Sequence, residues 1–189
     1  FDIASGRERE LLTPEQLLNG AAEVLSPEEK SRRERARISG SGFTSFELSK
    51  DGTKLLLPLA GRLYLFDRAT NKVTALEGEG WIDPHFSPNG LSVAAVAKDE
   101  VSVIDAKTGK ARAITTGSTA TLHNGVAEFA AQEEMDRREG FWWSPDSKFI
   151  AYEQSDDSSV PLRYIADPLH PGNAPLPQRY PAAGTANAV

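Results

Sequence analysis

The sequence predicts an all-β chain, a partial β-propeller with blades of about four antiparallel strands and two helical insertions. Three observations carry this. The first is an internal repeat. Ser49-Lys50-Asp51-Gly52, a β-rich run, Arg62-Leu63-Tyr64-Leu65-Phe66-Asp67 and Thr70-Asn71-Lys72 recur as Ser87-Pro88-Asn89-Gly90, a second run, Glu100-Val101-Ser102-Val103-Ile104-Asp105 and Thr108-Gly109-Lys110. Asp51 to Asp67 and Asn89 to Asp105 each span 16 positions, and the units stand in register at a period of 38. A period near 40 made of short strands and turns marks a propeller blade, a sheet that buries both faces only by stacking on neighbours. The second observation is turn chemistry: Asp-Gly, Asn-Gly and Thr-Gly pairs punctuate the β-rich runs. The third is a pair of departures from the period. Asp2 to Asp67 is 65 positions, 27 more than one period, and Asn89 to Asp146 is 57, an excess of 19. Two insertions therefore break a regular array, and insertions in such arrays map to loops on one rim.

In chain order, Phe1-Asp2-Ile3-Ala4-Ser5-Gly6 reads as the finish of a blade. The first insertion, about residues 13–38, is predicted helical. Thr13-Pro14-Glu15-Gln16 and Ser26-Pro27-Glu28-Glu29 are capping boxes with Pro at the first helical position, which satisfies otherwise orphaned amides. Glu28 with Arg32 and Glu29 with Arg33 have the i, i+4 spacing for ion pairing. The second of these helices has no apolar stripe, so it is expected to project into solvent, a cavity or another domain. Two blades follow, and then the second insertion, about residues 125–140, bracketed by Gly125 and Gly140 with a helix expected around Ala127 to Arg137. It holds five acids against two arginines, whereas Ser26 to Ile38 holds five bases against three acids. The two insertions are thus complementary in sign. Trp143-Ser144-Pro145-Asp146 opens a third unit, and a Pro-rich run leads to Val189. With no initiator Met and no closing element, the sequence reads as a fragment. A full ring needs roughly 300 or more residues at about 40 per blade.

Composition removes several function classes. The chain of 189 residues is 39% hydrophobic and 25% charged, with a formal charge of -6, the wrong sign for a nucleic-acid partner. It lacks cysteine, which excludes disulfides, thiolate metal sites and cysteine nucleophiles. No apolar run approaches a membrane span. There is no Gly-x-Ser-x-Gly, no His-Glu-x-x-His and no Gly-rich phosphate loop, so no catalytic residue, cofactor site or metal site is expected in this segment. His85, His123 and His170 lack ligand-spaced neighbours. Trp142, Trp143, Trp81 and Phe86 are expected in packing between blades.

Glu133-Glu134 is the constellation with chemical content. One reading is a solvated acidic turn of helix. A glycosidase pair is disfavoured, because neighbouring helical residues diverge by about 100° and hydrolysis needs carboxyls facing each other across a bond. Two parallel carboxylates instead suit a cation such as an ammonium group, whose charged form they favour.

Ala127-Glu128-Phe129-Ala130-Ala131-Gln132-Glu133-Glu134-Met135, followed by Gly140-Phe141-Trp142-Trp143-Ser144-Pro145-Asp146, resembles the N-terminal propeller of the dipeptidyl peptidase IV family, bacterial type, in the prolyl oligopeptidase clan. The resemblance extends over residues 1–189. It implies a C-terminal α/β-hydrolase domain with a Ser-Asp-His triad, absent from these residues, and release of X-Pro or X-Ala dipeptides from peptides with a free N-terminus. It puts Glu133 and Glu134 on the family's double-Glu motif, which holds the substrate's α-amino group. It also implies a nearby arginine that orients a Glu and contacts the substrate carbonyl; Arg33 or Arg32 is the choice in this chain. A homodimer and a periplasmic or secreted location follow by the same analogy. The rival readings are a non-enzymatic scaffold or protein-binding propeller of WD40 or TolB type, and a related peptidase that takes longer N-terminal pieces.

Overall fold

A computed structural model describes residues 2–25, 29–30, 33–34 and 37–189. The chain is an all-β partial propeller. Strands β1 (Glu47–Leu48), β2 (Lys54–Leu59), β3 (Arg62–Asp67) and β4 (Lys72–Ala75) form one antiparallel sheet in sequential order. Strands β5 (Ile82–Phe86), β6 (Ser92–Ala97), β7 (Glu100–Asp105) and β8 (Ala111–Ala113) form a second sheet with the same order. The hairpin turns Ala60-Gly61 and Lys98-Asp99 have positive φ at both residues, the mirror-image geometry that matches strand twist.

The sequence repeat is realised bond for bond. Ser49 Oγ accepts from the amide of Lys54 at 2.9 Å and hydrogen-bonds Asp51, as Ser87 does with Ser92 at 3.0 Å and with Asn89. Asp67 accepts from the amide and hydroxyl of Thr70, and Asp105 from those of Thr108. Asp2 holds Ser5 in the same way. A carboxylate that takes an amide three residues on is a local alternative to sheet pairing, and it stops the strand.

Contacts divide the described residues into two units, 2–97 with 103–112 and 98–102 with 113–189. In the first unit β3 is buried on both faces, and alternate residues serve different clusters. Leu63 and Leu65 pack with Leu56, Val93, Ala95 and Ile104. Tyr64 and Phe66 pack with Leu57 and Leu59, against Leu12, Leu17, Leu18 and Phe43. Each such buried side chain contributes roughly 1.5–3 kcal/mol. Trp81 and Phe86 are buried as expected.

The first insertion is therefore partly core. Helix α1 (Pro14–Leu17) begins at a complete capping box, with the Thr13 and Gln16 side chains each bonding the other's amide. Beyond it Glu29, Lys30, Arg33 and Glu34 are helical. Ser26, Pro27 and Glu28 of the second capping box, and Arg32, lie outside the described residues. The expectation of a projecting helix meets a different outcome at Arg33, which is buried with Glu29. Charge on one face is neutralised within the unit, so the helix packs without an apolar stripe.

In the second unit β9 (Leu122–Asn124) pairs with β12 (Gln154–Asp156), and β10 (Phe141–Trp143) pairs with β11 (Ile150–Tyr152). Strands β13 (Leu162–Ile165) and β14 (Leu176–Arg179) form a hairpin. Since β11 and β12 are separated only by Glu153, β9 and β10 are two halves of one strand facing a single continuous partner. The second insertion leaves from the break between them rather than from a loop between strands.

Candidate functional site

The neck of this insertion is tight. Gly125 donates to the carbonyl of Glu153 and the amide of Glu153 donates to the carbonyl of Gly140, both at 2.8 Å. A Cβ on Gly140 would stand 2.3 Å from the Gly125 carbonyl oxygen, so two backbones meet where no side chain fits. One residue further out, Val126 and Glu139 form an antiparallel bridge. Helix α2 (Phe129–Glu134) follows. Its N-cap is Glu128, whose carboxylate accepts the amides of Ala130 at 2.7 Å and Ala131 at 2.6 Å. This shortens the helix relative to the Ala127 to Arg137 expected. Ala127 and Ala131 are buried, and Gln132 donates to the carbonyl of Ala127 at 2.6 Å. One face of α2 is thereby fixed.

Glu133 and Glu134 end the helix with both side chains exposed. Neither makes an ion pair or side-chain hydrogen bond with the described residues, and the last turn carries no basic residue. The outward-facing carbonyls of a helix C-terminus disfavour negative charge, so two adjacent carboxylates here are unrelieved. Exposure alone fits a solvated acidic turn; an uncompensated pair at the unfavourable helix end fits a site completed by a cation from elsewhere.

The two arginines that follow the pair are committed to other carboxylates. Arg137 Nη1 lies 2.6 Å from Glu153 Oε2 and donates to the carbonyl of Glu139 at 2.9 Å. Its guanidinium stands 5.9 Å from the Trp142 ring centre, a cation–π distance. Trp142 is 44% exposed, so it is not packed in the core as expected; Phe141, the preceding residue, takes the buried position. Arg138 pairs with Asp136 at 3.0 Å. Asn124, buried beside the neck, donates to Glu100 at 3.1 Å and accepts from Gln154 at 2.8 Å. Burial works to raise the Glu100 carboxyl pKa, but hydrogen bonds from Thr115, Ser118 and Asn124 outweigh it and hold it below the usual value.

Arg33, one of the two arginines expected at the site, forms its own cluster in the first unit. Nη2 lies 2.6 Å from Glu23, Nε lies 2.8 Å from Glu29, and Nη1 donates to the Gly40 carbonyl at 3.2 Å. Glu23 also accepts the amide of Gly42 at 2.8 Å. Burial pushes the Glu23 pKa up, yet Arg33 and that amide together bring it down. The i, i+4 pair with Glu29 was legible in the sequence; Glu23 was not, because it comes from outside the helix. Glu153 and Arg137 were also unanticipated. The signal available for Glu153 was a lone acid inside the run Ile150-Ala151-Tyr152-Glu153-Gln154.

Among the described residues no helix is long and apolar enough to cross a membrane, and no three His, Asp or Glu side chains are grouped to hold a metal ion.

Comparison with known proteins gives these positions a family. The sequence profile described as dipeptidyl peptidase IV (DPP IV) N-terminal region matches residues 49–189. Dipeptidyl peptidase 4 of Felis catus is 36% identical over 114 residues, covering 57% of this chain and 14% of the cat protein. Prolyl endopeptidase FAP of Mus musculus is 33% identical over 109 residues, 55% of this chain and 14% of that protein. Dipeptidyl peptidase 8 of Homo sapiens is 27% identical over 197 residues, 87% of this chain and 21% of that protein. The crystal structure of Porphyromonas gingivalis dipeptidyl peptidase 4 superposes with a TM-score of 0.67 at 27% identity, covering 77% of this chain and 23% of that one. The chain thus spans about a fifth or less of the length of these curated relatives. Its match to the profile over both blades, the broken strand and the insertion bearing Glu133 and Glu134 means that the chain belongs to the dipeptidyl peptidase IV family, as part of its N-terminal region.

Proposed function

We propose that the protein carrying this chain is a dipeptidyl peptidase, a serine hydrolase, and that residues 1–189 are part of its N-terminal propeller. In this reading Glu133 and Glu134 bind the free α-amine of a peptide. A hydrolase domain outside these residues then releases an X-Pro or X-Ala dipeptide. The observation that carries the reading is the uncompensated carboxylate pair at the end of α2, with the two arginines that follow it, Arg137 and Arg138, already paired to other carboxylates. A model α-amine titrates near pH 7.7–8.0, so it is largely cationic at neutral pH and more so beside two anions. Its three donors match two adjacent acceptors, and charge-assisted bonds of this kind are worth about 1.5–3 kcal/mol each. Fixing the terminus at one place uses binding energy for position, and it turns a peptidase into one that counts residues from the end. By family likeness the arginine that orients a Glu in this reading is Arg33 or Arg32, of which Arg32 lies outside the described residues. A periplasmic or secreted homodimer belongs to the same reading by family likeness.

The test is kinetic. In the full-length protein, Glu133→Gln and Glu134→Gln are each expected to lower kcat/KM for a free-amine Xaa-Pro substrate by about 10- to 100-fold, the rate equivalent of one charge-assisted bond. An N-acetylated substrate should be a poor substrate of the parent and of both variants alike. Parent-like kcat/KM in both variants overturns the reading; absence of any hydrolysis by the parent favours a scaffold.

A further inference from the structure

We propose that Glu153 is the positioning residue for the Glu133–Glu134 pair, an inference that rests on reading that pair as the amine site. Glu153 is the single residue between β11 and β12, where the continuous strand passes from pairing with β10 to pairing with β9. Its backbone bonds both ends of the insertion, the carbonyl accepting from Gly125 and the amide donating to Gly140. Its side chain reaches both ends of the helix. Oε1 accepts the amide of Glu128, the N-cap, at 3.1 Å. Oε2 pairs with Arg137 at 2.6 Å, and the Arg137 amide donates to the carbonyl of Ala131 inside α2 at 3.0 Å.

One carboxylate therefore brackets a helix of six residues. Helices this short do not hold themselves in water, and their direction comes from tertiary contacts. Apolar contact on α2 comes from buried Ala131 and from Phe129, whose ring meets that of Tyr180 edge-on with centroids 5.1 Å apart, both in the first half of the helix and away from Glu133 and Glu134. The Glu153 carboxylate holds the far end as well, because it fixes a point before the first turn and a point after the last. Where α2 tilts, Glu133 and Glu134 move with it, since both sit in its last turn. The side chain of Glu153 is only 20% exposed, so water does not readily replace either bond. Glutamine at this position has one oxygen in place of two, so it cannot accept from both the Glu128 amide and the Arg137 guanidinium in this arrangement, and one end of the bracket is released.

The experiment is a double-mutant cycle in the full-length protein with Gly-Pro-p-nitroanilide, a substrate with a free amine. Glu153→Gln is expected to lower kcat/KM about tenfold, less than the roughly 100-fold that a displacement of about 1 Å in a reacting or binding group can cost. Added to a Glu133→Gln/Glu134→Gln background, it is expected to change kcat/KM less than twofold, because there is no longer a pair to position. A residue that merely supports the fold would cost the same in both backgrounds, and equal losses overturn the proposal. So does a Glu153→Gln enzyme within twofold of the parent when the double variant is impaired; the reading of the pair then stands without its positioning residue. An unimpaired double variant overturns the reading and this inference together. If Glu153→Gln does not accumulate as folded protein, Arg137→Met, which removes the same ion pair from the other side, carries the same expectation and the same grounds for rejection.

Discussion

His85 shows how far a side chain's chemistry is set by residues the sequence does not place beside it. Its Nε2 lies 2.8 Å from Asp83 Oδ1 and its Nδ1 lies 3.5 Å from Glu47 Oε2. The hydrogen bonds that the ring donates to Asp83 and then Glu47 outweigh burial, and they lift the imidazole from its ordinary 6.5 to about 10. The ring is a cation at neutral pH. Because the folded pKa is raised, the stabilisation is complete below about pH 6.5 and is lost as pH rises through about 10. Stability measured by urea should fall across that window, and His85→Gln should remove this part of the fall. An imidazole that titrates near 6.5 in the folded protein, followed by its NMR shifts, would refute the assignment. Asp83 was legible as a near neighbour in sequence, whereas Glu47 comes from β1, 38 positions earlier. Arg33 teaches the same lesson: helical spacing announced Glu29, and nothing local announced Glu23.

At the scale of elements, the repeat was readable because strand-ending turns are local. Asp67 with Thr70 and Asp105 with Thr108 carry their own hydrogen-bond partners within four residues. The broken strand was not readable, because pairing of β9 with β12 and β10 with β11 is non-local, and three-residue strands give too short a pattern to register alternation. The helix boundary was missed for a physical reason too: Glu128 caps α2 with its own carboxylate, a role usually filled by shorter polar side chains. Gly125 and Gly140 bracket the insertion in the sequence, and the reason for a glycine at 140 lies in three dimensions. A methyl on Gly140 meets backbone rather than a yielding side chain, so relief requires the neck to open. Gly140→Ala is expected to destabilise the protein by about 1–3 kcal/mol, the usual range for overpacking, seen as a lowered urea midpoint. An unchanged midpoint would show that the two backbones are further apart than described.

Across the whole molecule, apolar burial is unequal. Of the buried hydrophobic residues among those described, only Val101, Ala127, Ala131, Phe141 and Val160 belong to the second unit, and Leu56, Leu63, Phe66, Val93 and Ile104 are among the many in the first. The second unit also exposes Tyr152, Leu162, Tyr164, Ile165 and Leu176 on short two-stranded sheets. Sheets of two strands are marginal by themselves, and repeat architectures derive stability from each unit's interface with the next. Opening free energies should therefore be graded along the chain. In hydrogen exchange on residues 1–189 alone, amides of β2, β3 and β6 are expected to be the slowest and those of β13 and β14 to exchange early. In the full-length protein the second unit should gain protection relative to the isolated segment, because propeller sheets bury their faces against neighbouring blades. Equal protection of β13 and β14 in both would show that this hairpin is stable without any neighbour, and the burial argument for a repeat array would then fail at its third unit.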